Sequence, residues 1–302
     1  MANVKEIKSH IKSVTDTKKI TNAMYLIAST KMRKAKADLD RTRPYFESLQ
    51  KEIKRIFRNV KNVKSRYFYP DDGEPELNGT YACLVVTADK GLAGMYNQNV
   101  IKEAERMYKE HPDMKLFVVG EYGRRYFEHR KIPIERSFIY TAQNPTMQRA
   151  REITNILLDM FDSGEIQKIF LVYTDIKNGM FEDVISVRLL PFHKKTFTAN
   201  VTEEAVKVPF EFSPSVEEVL NNMIPSYVSG YIYSALIDSF CSEQSSRMEA
   251  MNSANQNAQK ILSELSVVYN RLRQASITQE ITEVSSGAKA QKRKHAKEGL
   301  TL

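Results

Sequence analysis

Hydrophobic positions in the first 57 residues follow a 4-3-4-3 spacing, held for about seven heptads. The positions are Ile7, Ile11, Val14, Lys18, Thr21, Tyr25, Ala28, Met32, Ala35, Leu39, Thr42, Phe46, Leu49, Ile53 and Ile56, and twelve of the fifteen are apolar or aromatic. A 3.5-residue repeat keeps one stripe facing a partner as two helices supercoil, so the spacing predicts a coiled-coil helix over 1–61. Pro44 is where a kink is expected. Ile20, Met24 and Ile27 make a second, shorter stripe off this seam, which predicts that the helix touches more than one partner.

The other end repeats the pattern. Met251, Ala254, Ala258, Ile261, Leu265, Val268, Leu272 and Ala275 follow a 3-4-3-4 rhythm inside 226–286, a stretch without proline. Pro225 suits the first turn of such a helix or a kink below it, and Gly287 suits its exit. The prediction is a second coiled-coil helix over 216–288, followed by a basic tail over 289–302. At 1.5 Å per residue the two helices run to roughly 80 Å and 90 Å, more than a compact domain buries. Each therefore projects and needs a partner, most simply the other in an antiparallel pair; two unrelated helices in separate oligomer contacts remain open. The next seam positions, Gln279 and Thr282, are polar, so the C-terminal helix is expected to outrun its partner.

Between the helices the pattern changes. Apolar, β-rich runs at 81–87, 116–119, 169–173 and 184–190 alternate with helical stretches near 99–109, 121–130 and 146–162. Such alternation predicts βαβ units and a parallel sheet covered on both faces, a Rossmann-like domain over 62–215. The links 62–78 and 193–214, carrying Pro70, Pro75, Pro209 and Pro214, join it to the long helices. The fold class is thus α/β, with a long antiparallel coiled coil of terminal helices plus a central domain.

Composition narrows the function classes. Residues 1–66 hold 18 Lys/Arg against 6 Asp/Glu, residues 242–302 hold 9 against 6, and the middle holds 18 against 25. Basic ends raise nucleic acid or an anionic surface as partners. Yet Ser9, Ser13, Thr15, Thr17, Thr21, Ala28, Ser29 and Thr30 lie among the N-terminal lysines, giving a slim helix rather than an aromatic-interleaved strand-binding surface. A slim basic shaft fits a sleeve of acidic groups equally well, and composition does not choose between the two. No run approaches the roughly 18 apolar residues of a membrane span. The first residues resemble neither a secretory signal nor a transit peptide. Cys83 and Cys241 are too few and too far apart for a disulfide framework, and are expected to be small buried residues.

Candidate chemistry is sparse. Thr87-Ala88-Asp89-Lys90-Gly91-Leu92-Ala93-Gly94-Met95-Tyr96-Asn97 follows the first strand, where a dinucleotide fold places its phosphate cradle. Its G-x-x-G lacks the G-x-G-x-x-G spacing, and no Walker sequence occurs. A tight strand-to-helix turn, with Asp89 or Asn97 capping a helix, is the simpler expectation. His10, His111, His129, His193 and His295 are isolated, with no metal-ligand spacing. Neither a catalytic nor a metal site is predicted.

Three segments carry a resemblance: I-K-S-V-T-D-T-K-K-I-T-N-A-M-Y-L-I-A-S-T-K-M-R-K-A (11–35), T-A-D-K-G-L-A-G-M-Y-N (87–97), and S-E-Q-S-S-R-M-E-A-M-N-S-A-N-Q-N-A (242–258) with Y-N-R-L-R-Q-A-S-I-T-Q-E-I-T-E (269–283). They resemble, in order, the signature stretches of bacterial-type gamma subunits of F-type ATP synthases. The resemblance implies a central-stalk rotor, a coiled coil inserted in an alpha3-beta3 hexamer with the Rossmann-like domain outside, near the membrane ring. It implies a chain that is not itself an enzyme and has no cofactor, ATP/ADP and Mg binding the alpha and beta subunits. The implied partners are that hexamer, an epsilon subunit and the membrane c-ring, with no nucleic acid. The implied location is peripheral, on the cytoplasmic face of a bacterial plasma membrane; the chloroplast cysteine pair is absent. Met24, with Ile20 and Ile27, matches the helix facing the beta lever. Arg273 and Gln274 match positions that hydrogen-bond a beta catch loop, and Gln279 and Thr282 extend that region. Two departures stand out: K-G-L-A-G-M replaces the family's R-G-L-C-G-G, and a basic extension follows Ser286-Gly287-Ala288. A nucleic-acid-binding coiled coil and a nucleotide-dependent enzyme are the rival readings.

Overall fold

The 4-3 spacing of the N-terminal segment produces helix α1, Val4–Asn59. All fifteen seam positions are buried or half-buried. The computed structural model describes residues 4–59, 65–69, 79–139, 141–177, 181–193 and 211–298. Of the predicted links, 62–64, 70–78 and 194–210, with Pro70, Pro75 and Pro209, lie outside the described residues, as do the last four residues of the tail. The remaining elements are β1 (Tyr81–Val86), α2 (Tyr96–Glu110), β2 (Lys115–Val119), α3 (Glu121–His129), β3 (Arg136–Phe138), α4 (Met147–Asp162), β4 (Lys168–Lys177), β5 (Phe181–Leu190) and α5 (Val216–Glu298).

Two expectations for the C-terminal helix need correction. The helix starts at the predicted Val216, so Pro225 is not in its first turn: the Ser215 hydroxyl accepts the Glu218 N–H at 3.2 Å, with Glu217 and Glu218 in that turn. Pro225 sits inside the helix, a position costing about 3 kcal/mol in isolation, and is flanked by the buried Leu220, Ile224, Tyr227 and Val228. Gly287 does not end the helix, which continues to Glu298 through the region predicted as a separate tail. An interior glycine costs only about 1 kcal/mol relative to alanine, and good helix formers surround this one.

The compact units of the chain cut across a division into helix, domain, helix and tail. One is Met1–Leu26 with Met251–Leu302; the other is Ile27–Ala250.

In the first unit α1 and α5 are antiparallel. The Lys18 ammonium donates to Gln259 Oε1 and the Thr21 hydroxyl to Asn255 Oδ1, so ascending positions on one helix meet descending positions on the other. Two polar seam positions thus find polar partners, a device that fixes register in coiled coils. On α5 the less exposed stripe is Met251, Asn255, Ala258, Leu262, Leu265, Tyr269, Leu272 and Ser276. Met251, Ala258, Leu265 and Leu272, together with the half-buried Ala254, lie on the predicted seam, but Ile261 and Val268 are 41% and 44% exposed and Ala275 is exposed too. The doublets Ile261-Leu262 and Val268-Tyr269 offer two stripes about 100° apart on a helix. The stripe through Asn255, which pairs with Thr21, is the one that faces α1. Beyond Ser276 every side chain to Gln291 is exposed, so the C-terminal helix does outrun its partner.

The second unit is built on a five-stranded sheet of order β3-β2-β1-β4-β5. Strands β1 to β4 are parallel, but β5 runs antiparallel to β4. A fully parallel sheet is therefore corrected to a mixed one. β5 begins four positions after β4 ends, and a parallel crossover needs a dozen residues or more. Strand alternation sorts β1 between two cores. Ala82, Leu84 and Val86 pack with α4 and with parts of α1 and α5, while Cys83 and Val85 pack with α2 and α3. The two long helices here are also antiparallel. Gln50 Nε2 donates to Tyr227 Oη at 3.3 Å, and Cys241 Sγ lies 3.9 Å from the Met32 carbonyl oxygen. At Gly230 a Cβ would fall 2.0 Å from Phe46 Cδ1, so the missing side chain seats the Phe46 ring against the α5 backbone. Cys83 and Cys241 are free and buried, burial pushing both thiols up to about 12.

Candidate functional site

In the first unit the surface of the helix pair carries the predicted contact residues. On α1 Ile20 is 61% exposed and Met24, one turn on, is half-buried. Between seam residues the hydroxyls of Thr15 and Thr17 donate to the carbonyls of Ile11 and Ser13, at 2.7 and 3.0 Å. Folding hydroxyls back on their own helix keeps it slim. On α5 Arg273, Gln274, Gln279 and Thr282 are all exposed. Thr278 Oγ1 donates to the Gln274 carbonyl at 2.9 Å, Thr282 Oγ1 to the Thr278 carbonyl at 2.8 Å, and Gln279 Nε2 to Glu283 Oε1 at 3.0 Å.

Sequence reasoning missed the apolar members of this overhang. Ile277, Ile281 and Val284 are exposed at i, i+4 and i+7, one stripe of a helix with no neighbour. The signal was present as a continuing 4-3 rhythm in a frame shifted from Gln279 and Thr282. Leu26 and Val267, also exposed, lie off both predicted stripes. Large apolar side chains left in water mark a surface that another protein covers.

In the second unit Ile27 is exposed, and the segment 87–97 forms a closed turn. Thr87 Oγ1 donates to the Val119 carbonyl at 2.8 Å and accepts the Gly123 N–H at 3.0 Å. Asn97 Oδ1 accepts the Ala88 N–H at 2.9 Å, filling the loop from within. Asp89 caps a helix as expected, though it is α3 rather than the adjacent α2: its Oδ1 accepts the Glu121 N–H at 2.9 Å. The loop after β1 is thus closed on itself by Asn97 and tied to the start of α3 by Asp89.

Two further residues, absent from the predicted set, tie this turn to α5. Arg247 pairs with Glu243 (Nη1 to Oε1, 2.5 Å), and its Nη2 donates to the Gly91 carbonyl at 3.2 Å. Arg247 and Glu243 are 9% and 6% exposed. Burial raises the Glu243 pKa, and Asp89 raises it further, while Arg247 and Lys31 pull it back. Polar as it is, S-E-Q-S-S-R (242–247) forms a buried and half-buried stretch of α5. Among the described residues no cluster of His, Cys, Asp or Glu is arranged to hold a metal ion, and no helix is long and apolar enough to cross a membrane.

Comparison with known proteins agrees over nearly the whole chain. The family model described as ATP synthase matches residues 3–291. The ATP synthase gamma chain of Caldanaerobacter subterraneus subsp. tengcongensis is 43% identical, over 94% of this chain and 98% of that one. The sodium ion specific ATP synthase gamma chain of Acetobacterium woodii is 36% identical, over 95% and 98%. Among solved structures, a chain of the Euglena gracilis mitochondrial ATP synthase (OSCP/F1/c-ring) has a TM-score of 0.65 at 13% identity, over 95% of this chain and 94% of that one. A chain of the Tetrahymena thermophila central stalk and c-ring has 0.54 at 24%, over 78% and 99%. At these identities the structures speak for the fold, while the curated relatives speak for descent: the chain belongs to the ATP synthase gamma chain family.

Proposed function

We propose that the chain works as the central-stalk rotor of an F-type ATP synthase. Turning of its asymmetric shaft couples ion flow through the membrane ring to ATP synthesis or hydrolysis on the beta subunits. The observation that carries this reading is the overhanging helix end, which leaves Ile277, Ile281 and Val284 in water beside Arg273, Gln274, Gln279 and Thr282. A lone helix with an exposed apolar stripe and long polar side chains fits inside a protein sleeve, here an alpha3-beta3 hexamer. Ile20, Met24 and Ile27 meet the same hexamer, while an epsilon subunit and the membrane c-ring bind elsewhere on the chain. The chain itself is non-catalytic: ATP/ADP and Mg belong to the alpha and beta subunits, in keeping with a loop after β1 whose G-x-x-G lacks the phosphate-cradle spacing. Its location is peripheral, on the cytoplasmic face of a bacterial plasma membrane. This reading replaces the nucleic-acid and nucleotide-enzyme alternatives.

Charge-assisted hydrogen bonds that form in one rotary state and release in the next raise turnover only if they favour the passing state. Arg273→Ala with Gln274→Ala is therefore expected to slow steady-state ATP hydrolysis by the assembled complex by about tenfold, roughly one such bond. Assembly, judged by co-purification with the Walker-bearing subunits, is expected to persist. Unchanged turnover would remove these residues from the contact set, and failure of the wild-type chain to co-purify would remove the rotor reading.

A further inference from the structure

We infer that Arg247, held by Glu243 and gripping the Gly91 carbonyl, is a positioning residue that latches the central sheet to α5 and thereby carries torque. The inference rests on the rotor reading.

Most of what holds α5 to the sheet in the second unit is apolar: Leu220, Ile224, Val228, Ile232 and Leu236 share one core with Leu84, Phe117 and Leu171. Burial of this kind resists separation but is non-directional, so it opposes sliding or rolling of a helix weakly. Register under load falls to directional bonds. At the end of β1 that bond is the Arg247 guanidinium, whose fork engages the Glu243 carboxylate on its own helix and the Gly91 carbonyl on the loop.

Several features suit the latch to its role. The loop approaches α5 at Gly94, where a Cβ would come within 4.0 Å of the Ser246 carbonyl oxygen. The same loop is anchored to the sheet through Thr87, whose hydroxyl donates to the Val119 carbonyl of β2, and to α3 through Asp89, so a pull on Gly91 is a pull on the whole domain. Both charged partners are shielded from water, which strengthens their bond and leaves the cation no solvent to exchange with. A guanidinium supplies two rigid directions at once, which an ammonium cannot.

The latch predicts a separation between folding and coupling. In the complex reconstituted into vesicles, Arg247→Ala strands the buried Glu243 and is expected to lower the melting temperature as well as the ratio of ions pumped to ATP hydrolysed. The double variant Glu243→Gln with Arg247→Met removes the stranded charge and keeps similar volumes. It is expected to recover the melting temperature yet still pump about twofold or more fewer ions per ATP, because the bond from α5 to the loop at Gly91 is lost. Arg247→Lys, a milder change that keeps the pair with Glu243 but loses the fork, is expected to fall between the two and covers failure of the double variant to assemble. Wild-type coupling ratios in the double variant, or in Arg247→Lys if that alone assembles, would overturn the latch. A wild-type complex whose pumping survives cross-linking of this chain to the hexamer would instead overturn the rotor reading.

Discussion

Replacing Gly120 by alanine is expected to be among the most destabilising single changes in the chain, costing about 3 kcal/mol or more. Two independent penalties meet there. The residue sits at φ 97°, a backbone region open to glycine but strained for any L side chain. A Cβ in that place would also lie 2.2 Å from the Thr87 carbonyl oxygen and 2.7 Å from that of Ala88, which the Tyr122 N–H holds at 3.0 Å. The turn cannot relax without giving up the Asp89 cap on α3 or the Thr87 hydroxyl bonds to Val119 and Gly123. Chemical denaturation of the purified chain checks this: the midpoint should fall sharply. A wild-type midpoint would show that the β2 to α3 junction is looser than described.

The second large effect is a gain. Asp238 on α5 is half-buried, and the loss of water around it raises its pKa to about 6; the Asp175 carboxylate adds to the rise, and a hydrogen bond from Ser234 and the charge of Arg43 partly offset it. The folded state therefore favours the neutral acid. Stability is greatest below the ordinary carboxylate range, falls as pH climbs from about 4 to about 6, and stays reduced above that because ionised Asp238 must be housed. A displacement of about two pH units corresponds to roughly 3 kcal/mol. Asp238→Asn cannot ionise, so it is expected to be more stable than wild type at pH 8 by up to about that amount, or about 5 °C or more in melting temperature. The difference should shrink to nothing near pH 4. Parallel melting curves at all pH values would mean that Asp238 is not the group responsible.

Neither residue announced itself in the sequence, for different physical reasons. Gly120 lies one residue beyond a strand predicted to end at Val119, but the need for a positive φ there comes from the neighbouring β1 chain. Asp238 looks like one more charge on a long helix, and only tertiary packing takes part of the water from it and brings Asp175 near. What was legible depended on period. Fifteen seam positions of α1 lie buried or half-buried because a strict 4-3 repeat admits one stripe. On α5 the doublets at 261–262 and 268–269 admit two, and the choice is made by Asn255 meeting Thr21, a contact between residues far apart in the chain. β3, only Arg136–Phe138, is too short to show alternation, and it exists as a strand through its pairing with β2. The proposed contact residues came from family motifs and, for Ile20, Met24 and Ile27, from spacing as well; Ile277, Ile281 and Val284 were open to periodicity but lay in a shifted frame. The Glu243 and Arg247 pair was hidden because i, i+4 charges on a helix are usually a solvated face.

The rotor reading rests on motion of this chain relative to its partners, and motion can be watched. With the alpha3-beta3 hexamer fixed to a surface and a bead attached to residues of the central domain, ATP is expected to drive the bead around in one direction, with one dwell per catalytic site in each turn. ATP hydrolysed at the normal rate while the bead stays still, or only jitters about one angle, would contradict it.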